Sequence, residues 1–186
     1  MRQMDLTDHF LISMPAMQDP NFSGAVIYMC EHTEKGALGL VINRPSTLTI
    51  GGLFSKVDLD LQIEVLRDEV VFVGGPVQNE RGFVLHQPQF AFNSSLKVGG
   101  ERALTTSRDV LESIGRGDGP HQLLISLGYS GWSGGQLEKE LAENAWLTVK
   151  ADPRVIFDTP VEERYSAAIG LLGISPAQLA SIAGHA

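Results

Sequence analysis

Residues 24–45 constrain the fold of this chain more than any other stretch. Two apolar, partly β-branched runs flank a short polar turn at residues 33–36. This pattern predicts a β-hairpin with strands near residues 25–32 and 37–43. Gly39 lies inside the second strand, where glycine usually marks a bulge or a close backbone approach. The hairpin is therefore predicted to nucleate a sheet, with its second strand near the centre of that sheet.

Turn-forming residues are frequent in the rest of the chain. Twenty glycines and nine prolines favour short strands over a long helical bundle. Strands at residues 69–73 and 82–86 are predicted to form a second hairpin around a long loop. Because hairpins join most strands and helices are inserted between them, the predicted class is α+β rather than a doubly wound sheet. The other predicted strands are 10–14, 96–98, 103–105, 122–127 and 146–149, and helices are predicted from 46 or 47 to 54, from 107 to 114, from 136 to 144, from 159 to about 172, and from 175 onward.

Composition narrows the possible functions. The chain has 186 residues, enough for one domain with a sizeable core. Its formal net charge is −8 and its basic residues are scattered, which argues against direct contact with nucleic acid. Cys30 is the single cysteine, so no internal disulfide can form, as is typical of a reducing compartment. No run approaches the ~18 apolar residues of a spanning helix, so we expect a cytoplasmic protein without membrane contact.

Four groups of motifs extend along nearly the whole chain. They are Phe10-Leu-Ile-Ser-Met-Pro15 with Asp19-Pro20; Cys30-Glu31-His32 with Gly36-Ala-Leu-Gly-Leu-Val-Ile-Asn-Arg-Pro45; Gly74-Gly75-Pro76-Val77 with Gly82-Phe-Val-Leu-His86; and Gly128-Tyr129-x-Gly131-Trp132 with Gly135-Gln136-Leu137-Glu138 and Ala145-Trp146-Leu147. Each motif alone is weak, but together they resemble the AlgH/YqgE family, a group of bacterial proteins without an established biochemical activity.

The resemblance to this family carries its own implications for fold and function. It implies a single α+β domain over residues 1–186, with a branched, mostly antiparallel sheet curled into a pseudo-barrel and flanked by helices. It also implies a cytosolic bacterial protein. One branch of the family is named for the regulation of alginate production, and labels of transcriptional regulator have spread from it. The resemblance supplies no catalytic residue.

Cys30 and His32 are the first candidates for chemistry. They are two residues apart on a predicted strand, so their side chains are expected to share a face, with Glu31 on the other. A cysteine beside a histidine can become a thiolate nucleophile or a redox sensor. A buried thiol beside a turn histidine fits the same residues, because free cysteine is among the most buried residue types.

Asn43 and Arg44 form a polar exit from the hairpin, directly before Pro45. Arg44 can hold a carboxylate or a phosphate through two parallel hydrogen bonds. The alternative is a loop arginine that pins the chain after the hairpin, for example through Glu31 or Asp19. Asn43 and Arg44 are both candidate binding residues.

Two glycine-dense turns give the best candidate pocket. The segment Gly74-Gly75-Pro76 follows one predicted strand, and residues 128–135 follow another. Exposed backbone amides in such turns can bind an anion or a carbonyl oxygen. Alternatively, the glycines supply positive φ angles and room for crossing strands. If the two turns meet, Tyr129 and Trp132 are predicted to wall the pocket.

Other polar motifs are interpreted as structural. Ser133 matches the centre of a G-x-S-x-G elbow, but it also fits a helix cap, and its only downstream histidine is His185. Glu138 and Glu140 are interpreted as part of a solvated helix face. The histidine spacing matches no metal motif. We therefore predict no catalytic residue, metal site or cofactor.

The leading functional hypothesis is a non-catalytic regulatory or binding protein that contacts an unidentified protein or small ligand. It depends on the lack of a complete nucleophile or acid–base constellation in the sequence. The rival is a thiol-based sensor or enzyme centred on Cys30 and His32. Transcriptional regulation through direct DNA contact follows only from the family resemblance, and the net charge opposes it.

Overall fold

The computed structural model describes residues 4–183. Within this range, no helix is long and apolar enough to cross a membrane. The strands are β1 (His9–Ser13), β2 (Val26–Thr33), β3 (Gly36–Val41), β4 (Pro45–Thr49), β5 (Val70–Val73), β6 (Val77–Gln87), β7 (Ser95–Val98), β8 (Arg102–Thr105), β9 (Gln122–Ser133) and β10 (Trp146–Lys150). The helices are α1 (Ile50–Lys56), α2 (Arg108–Arg116), α3 (Gln136–Ala142), α4 (Pro153–Phe157), α5 (Arg164–Gly170) and α6 (Pro176–Ala183).

The strands form one branched, mostly antiparallel sheet. Its main path runs β10-β1-β2-β3-β9-β6-β8-β7. The branch lies at β9, which pairs with β3 through Ser130–Ser133 and, in parallel, with β5 at Ser126 and Leu127. β5 in turn pairs with β4. The predicted hairpin is confirmed as β2 and β3, and β3 lies in the middle of the path as expected.

Three apolar cores stabilise the curled sheet. The last strand of the path, β7, contacts β2, so the sheet closes towards a pseudo-barrel, and the predicted fold class is confirmed. The interior core fills the concave side with residues from most strands and from α4, α5 and α6. On the other side, one outer core lies beneath α3 and contains Trp132 and Trp146. A second outer core lies beneath α1 and α2 and contains Phe54 and Ile125.

A buried polar network joins β8 to β1 and β2. Tyr28 donates a 2.7 Å hydrogen bond to Asp8, and Arg102 donates to Tyr28 at 2.8 Å and to Asp8 at 2.6 Å. Lys150 lies 2.9 Å from the second carboxylate oxygen of Asp8. Burial alone would raise the pKa of Asp8, but these hydrogen bonds together lower it. The charges of this network are therefore paired with one another.

Two expectations about topology are wrong. Residues 69–73 and 82–86 do not pair as a hairpin, because β9 lies between β5 and β6 and pairs with both. The helix expected to begin near residue 46 begins instead at Ile50. The preceding residues are extended because they pair with β5 as β4, a tertiary partner that local sequence does not reveal.

Candidate functional site

A bulge separates the two candidate groups of the hairpin. The pairing of β2 with β3 shifts register between Met29 and Glu31, which leaves Cys30 as an extra residue. Such a residue disrupts the alternation of side chains across a strand. Cys30 packs in the interior core, whereas His32 contacts Leu6 of the outer core beneath α3. The prediction that Cys30 and His32 share a face is therefore wrong.

The Cys30 thiol is enclosed by the interior core. Cys30 is 1% exposed, and its Sγ lies 3.8 Å from the carbonyl oxygen of Tyr28. Burial raises the pKa of the thiol, and the carboxylates of Asp8 and Glu31 raise it further. Because the thiolate is the reactive form, this environment disfavours nucleophilic and redox chemistry at Cys30.

Both ring nitrogens of His32 are engaged in hydrogen bonds. Nδ1 accepts from the N–H of Leu6 at 3.0 Å, so it carries no proton. Nε2 then donates to Glu138 on α3, and this hydrogen bond lowers the pKa of that carboxyl. Glu140 accepts from the indole N–H groups of both tryptophans. The interpretation of Glu138 and Glu140 as a solvated face is wrong, since both carboxylates attach α3 to the sheet.

Asn43 and Arg44 hold the loop that precedes the hairpin. Arg44 donates to the carbonyl oxygens of Asn21 and Ser23, the latter at 3.1 Å. Asn43 bridges the same region to β2 through two 2.9 Å hydrogen bonds. The pinning alternative thus describes Arg44 better than anion binding does, with backbone carbonyls rather than carboxylates as its partners.

The two glycine-dense turns meet, but they leave no room between them. Gly74 and Gly75 cross β9 at Gly128 and Tyr129. A Cβ atom on Gly74 would lie 2.4 Å from the carbonyl oxygen of Gly128, and one on Gly75 would lie 2.2 Å from that of Tyr129. Pro76, next to them, is exposed. The glycines therefore serve the crossing of two backbones, which fill the space that an anion would need.

Tyr129 and Trp132 do not face each other. Tyr129 packs edge-on against Phe83 at the interior core, with ring centroids 5.5 Å apart. Trp132 is 5% exposed and belongs to the outer core beneath α3. Both residues line a shallow groove of about 390 Å³ at the tip of the hairpin, but Cys30 and Arg44 do not. The structure therefore does not unite the sequence-predicted residues in one site.

A cleft between β5 and β9 offers clearer binding chemistry. The two strands pair at Phe72–Ser126 and Val73–Leu127, and they diverge towards their N-terminal ends. The gap forms a cleft of about 240 Å³. Its walls are mostly apolar side chains of β5, β9 and α4. Its charged and polar lining consists of Glu69, His121, Gln122, Asp158 and Arg164.

Arg164, the first residue of α5, is buried at this cleft with 7% exposure. Its Nε donates to the carbonyl oxygen of Thr159 at 2.9 Å, and its Nη1 donates to that of Ile42 at 2.6 Å. The guanidinium also lies over the Phe72 ring, 5.0 Å from the centroid. Burial lowers the pKa of Arg164 to about 10, which leaves the side chain positively charged at neutral pH.

The Arg164 guanidinium is incompletely paired. Within residues 4–183, no carboxylate oxygen lies within 4.0 Å of it, and its Nη2 has no hydrogen-bond partner. In the same range, Ser13 Oγ is the only fully enclosed side-chain polar atom without a partner, so Nη2 retains contact with solvent at the cleft. An anion that enters the cleft can therefore reach a free donor on a buried cation.

Sequence reasoning missed Arg164, although one weak signal was present. Val161 and Ala168 are three residues before and four residues after it, which places Arg164 on the apolar side of the predicted helix. An arginine at such a position is either paired in the interior or exposed at a cavity. The cleft itself depends on the divergence of β5 and β9, which no local pattern reveals.

Comparison with known proteins identifies the family of this chain. The family described as DUF179, AlgH-like, matches residues 10–177. A UPF0301 protein of Ralstonia pickettii (strain 12J) is 57% identical over 183 residues, which cover 98% of this chain and 96% of that protein. A UPF0301 protein of Burkholderia mallei (strain SAVP1) is 56% identical over 186 residues, which cover 99% of this chain and 97% of that protein.

Two solved structures are similar to this chain. The solution structure of the AlgH protein from Pseudomonas aeruginosa is 49% identical with a TM-score of 0.80, and the match covers 97% of each chain. The crystal structure of protein DIP2367 from Corynebacterium diphtheriae is 15% identical with a TM-score of 0.70, and the match covers 90% of this chain and 87% of that chain. At this identity the likeness shows that the two proteins share a fold. The resemblance that the motifs indicated is thus confirmed, and the chain belongs to the AlgH-like family.

Proposed function

We propose that this chain is a non-catalytic binding protein of the cytoplasm, and that it holds a small ligand by a carboxylate group in the cleft between β5 and β9. The observation that carries the proposal is Arg164, a buried cation at a cleft that has no carboxylate partner among the described residues. An unpaired buried charge is costly, and natural proteins accept such costs mainly at functional sites. A ligand carboxylate supplies the missing partner.

Arg102 provides an internal comparison for Arg164. The two arginines are almost equally buried, at 6% and 7% exposure. Arg102 donates to Asp8, Tyr28 and Gln87, so each of its terminal nitrogens has a side-chain partner. Arg164 has two backbone carbonyls and a free Nη2. The contrast supports a binding role for Arg164, because the same chain pairs its other buried arginine fully.

The cleft favours a carboxylate over a phosphate. Its volume of about 240 Å³ lies below the ~300–1,000 Å³ of pockets that take drug-sized ligands, so the ligand is small. Among the residues that the structure describes, Arg164 is the only arginine or lysine that lines it, and Glu69 and Asp158 lie on the same lining. A doubly charged phosphate would be repelled by these two acids. A single carboxylate carries one negative charge and can accept a charge-assisted hydrogen bond from Nη2, the guanidinium nitrogen that donates to no described residue.

The non-catalytic part of the proposal is supported by the state of the candidate catalytic groups. The Cys30 thiol is enclosed, and burial raises its pKa. His32 uses both ring nitrogens in hydrogen bonds to the protein. Ser133 donates from its backbone N–H and from its hydroxyl to the side chain of Gln136, so its hydroxyl is engaged, but the predicted helix cap is wrong because Gly135 is the N-cap of α3. His185 lies outside the described residues.

Calorimetric titration with isocaproate and its neutral amide tests the proposal. Isocaproate is expected to bind and isocaproamide is not, because the amide lacks the charge that Arg164 pairs. Arg164→Gln is expected to weaken isocaproate binding at least about tenfold, since a hydrogen bond to a charged group contributes about 1.5–3 kcal/mol. Equal binding of the acid and the amide, or no binding of either, would contradict the proposal.

A second variant separates binding from stability, because Arg164 also holds Thr159 and Ile42. Val161→Trp places a large ring in the cleft lining and leaves Arg164 in place. Val65→Trp is the matched control, since Val65 is 80% exposed and does not line the cleft. Loss of isocaproate binding in Val161→Trp alone supports the proposal. Unchanged binding in a folded Val161→Trp protein would refute it.

A further inference from the structure

We infer that the ligand of the cleft is a free α-amino acid with an apolar side chain, bound as a zwitterion. The inference rests on the proposed carboxylate site and names the rest of the ligand. Its basis is the arrangement of charge around one small apolar cleft: a buried cation, Arg164, and two carboxylates, Glu69 and Asp158, on the same lining.

Glu69 and Asp158 are acids that have no cationic partner within residues 4–183. Glu69 lies directly before β5, Asp158 lies directly after α4, and both are exposed. Among the described residues, neither side chain has an ion pair or a hydrogen bond. Glu69 is near enough to Arg164 to raise its pKa, against the larger effect of burial, but the two do not form an ion pair. The cleft therefore presents two negative side chains on the same lining as its positive one.

An α-amino acid matches this pattern because it carries an ammonium and a carboxylate on the same carbon. Its carboxylate can pair with Arg164 while its ammonium faces Glu69 and Asp158. Phe72, Leu124 and Ile156 belong to the interior core and also line the cleft, so the walls suit an apolar side chain. His121 and Gln122 complete the polar lining and can donate or accept hydrogen bonds.

The net charge of the chain provides an independent argument. At −8, the protein repels a simple anion at long range, whereas a zwitterion carries no net charge. The two acids on the lining would further oppose a ligand with a carboxylate alone. The arrangement thus selects for a ligand that carries both charges.

Titration with leucine and isocaproate, which differ only in the amino group, tests the inference. Leucine is expected to bind about tenfold more tightly than isocaproate, because its ammonium adds charge-assisted hydrogen bonds. Isocaproate binding as tight as or tighter than leucine binding would overturn the amino-acid inference and leave the carboxylate site standing. Binding of neither compound would overturn both.

Variants of the two acids give the second readout. Glu69→Gln combined with Asp158→Asn is expected to abolish the preference for leucine while it preserves or strengthens isocaproate binding. Asp68→Asn is the matched control, because Asp68 is exposed, adjacent in sequence and not part of the cleft lining. A leucine preference that survives in the double variant, or that is lost equally in Asp68→Asn, would contradict the assigned role of Glu69 and Asp158.

Discussion

Substitution of Gly75 by alanine tests whether the glycine crossing is structural. The added Cβ would lie 2.2 Å from the carbonyl carbon and oxygen of Tyr129 and 2.5 Å from the nitrogen of Ser130. Ordinary contact begins at 3.4 Å, so the backbones must separate by about 1.2 Å. The φ angle of Gly75 is also +155°, which other residues rarely adopt. The crossing cannot absorb this change through a flexible side chain, because its contacts are backbone atoms.

The energetic cost follows from the hydrogen bonds at the crossing. Gly74 N–H donates to Leu127 at 2.9 Å, and its carbonyl accepts from Val41 at 2.9 Å and from Ser130 Oγ at 3.0 Å. A separation of about 1.2 Å breaks at least one of these bonds, and an unsatisfied buried group costs about 1–3 kcal/mol. Overpacking adds about 1–3 kcal/mol. We expect Gly75→Ala to lower the free energy of unfolding by about 3 kcal/mol or more.

Thermal unfolding followed by circular dichroism measures this loss. For a chain of this size, about 3 kcal/mol corresponds to a fall in Tm of about 6–12 °C. Gly82→Ala is the matched control, because a Cβ there has no atom within 4 Å and φ is not positive. It is expected to change stability by less than about 1 kcal/mol. If Gly75→Ala and Gly82→Ala have the same Tm, the crossing is not tight and the structural role of the glycines at the crossing is refuted.

Three further predictions concern buried groups. Arg102→Met leaves Asp8 buried without its main partner and should cost about 3–5 kcal/mol in denaturant unfolding. The control, Arg116→Met at an exposed ion pair, should cost less than about 1 kcal/mol. Equal losses would contradict the stabilising role of the buried polar network. Cys30 should resist iodoacetamide in the native protein at pH 8 and react in guanidinium, and rapid native alkylation would show that the thiol is accessible. Burial lowers the pKa of His86 below its ordinary 6.5. Just below pH 6.5 the unfolded chain therefore binds a proton at this residue that the folded chain does not bind. The free energy of unfolding should consequently fall as the pH drops below about 6.5. His86→Gln should reduce that slope in denaturant titrations at several pH values, and an unchanged slope would assign the effect to other groups.

Local features of the fold were predictable from sequence because their determinants lie close together in the chain. The hairpin of β2 and β3 follows from strand patterning around a short turn, and Gly39 of β3 pairs with Met29, next to the bulge at Cys30. Ser175 and Gln178 form a reciprocal capping box at the start of α6, with hydrogen bonds of 2.8 and 3.2 Å. Such features need only neighbouring residues, so tertiary structure does not alter them.

Non-local features escaped prediction for the opposite reason. The insertion of β9 between β5 and β6 joins strands from distant parts of the chain. The bulge at Cys30 places Cys30 and His32 on different faces, and simple alternation could not show this. The site at Arg164 depends on how far β5 and β9 diverge, a property of the assembled sheet. The candidate residues of the sequence thus have structural contacts, while Arg164, which the sequence did not single out, is buried at a cleft.

The central claim is that Arg164 pairs with a ligand carboxylate in the cleft. Proton–nitrogen NMR of the arginine Nε–H groups reports this contact during titration with isocaproate, because Nε belongs to the same guanidinium as Nη2. We predict a saturable shift of the Arg164 Nε signal, with a smaller change at Arg102, whose side-chain partners are internal. Saturable binding that leaves the Arg164 signal unmoved, or no binding at all, would contradict the claim.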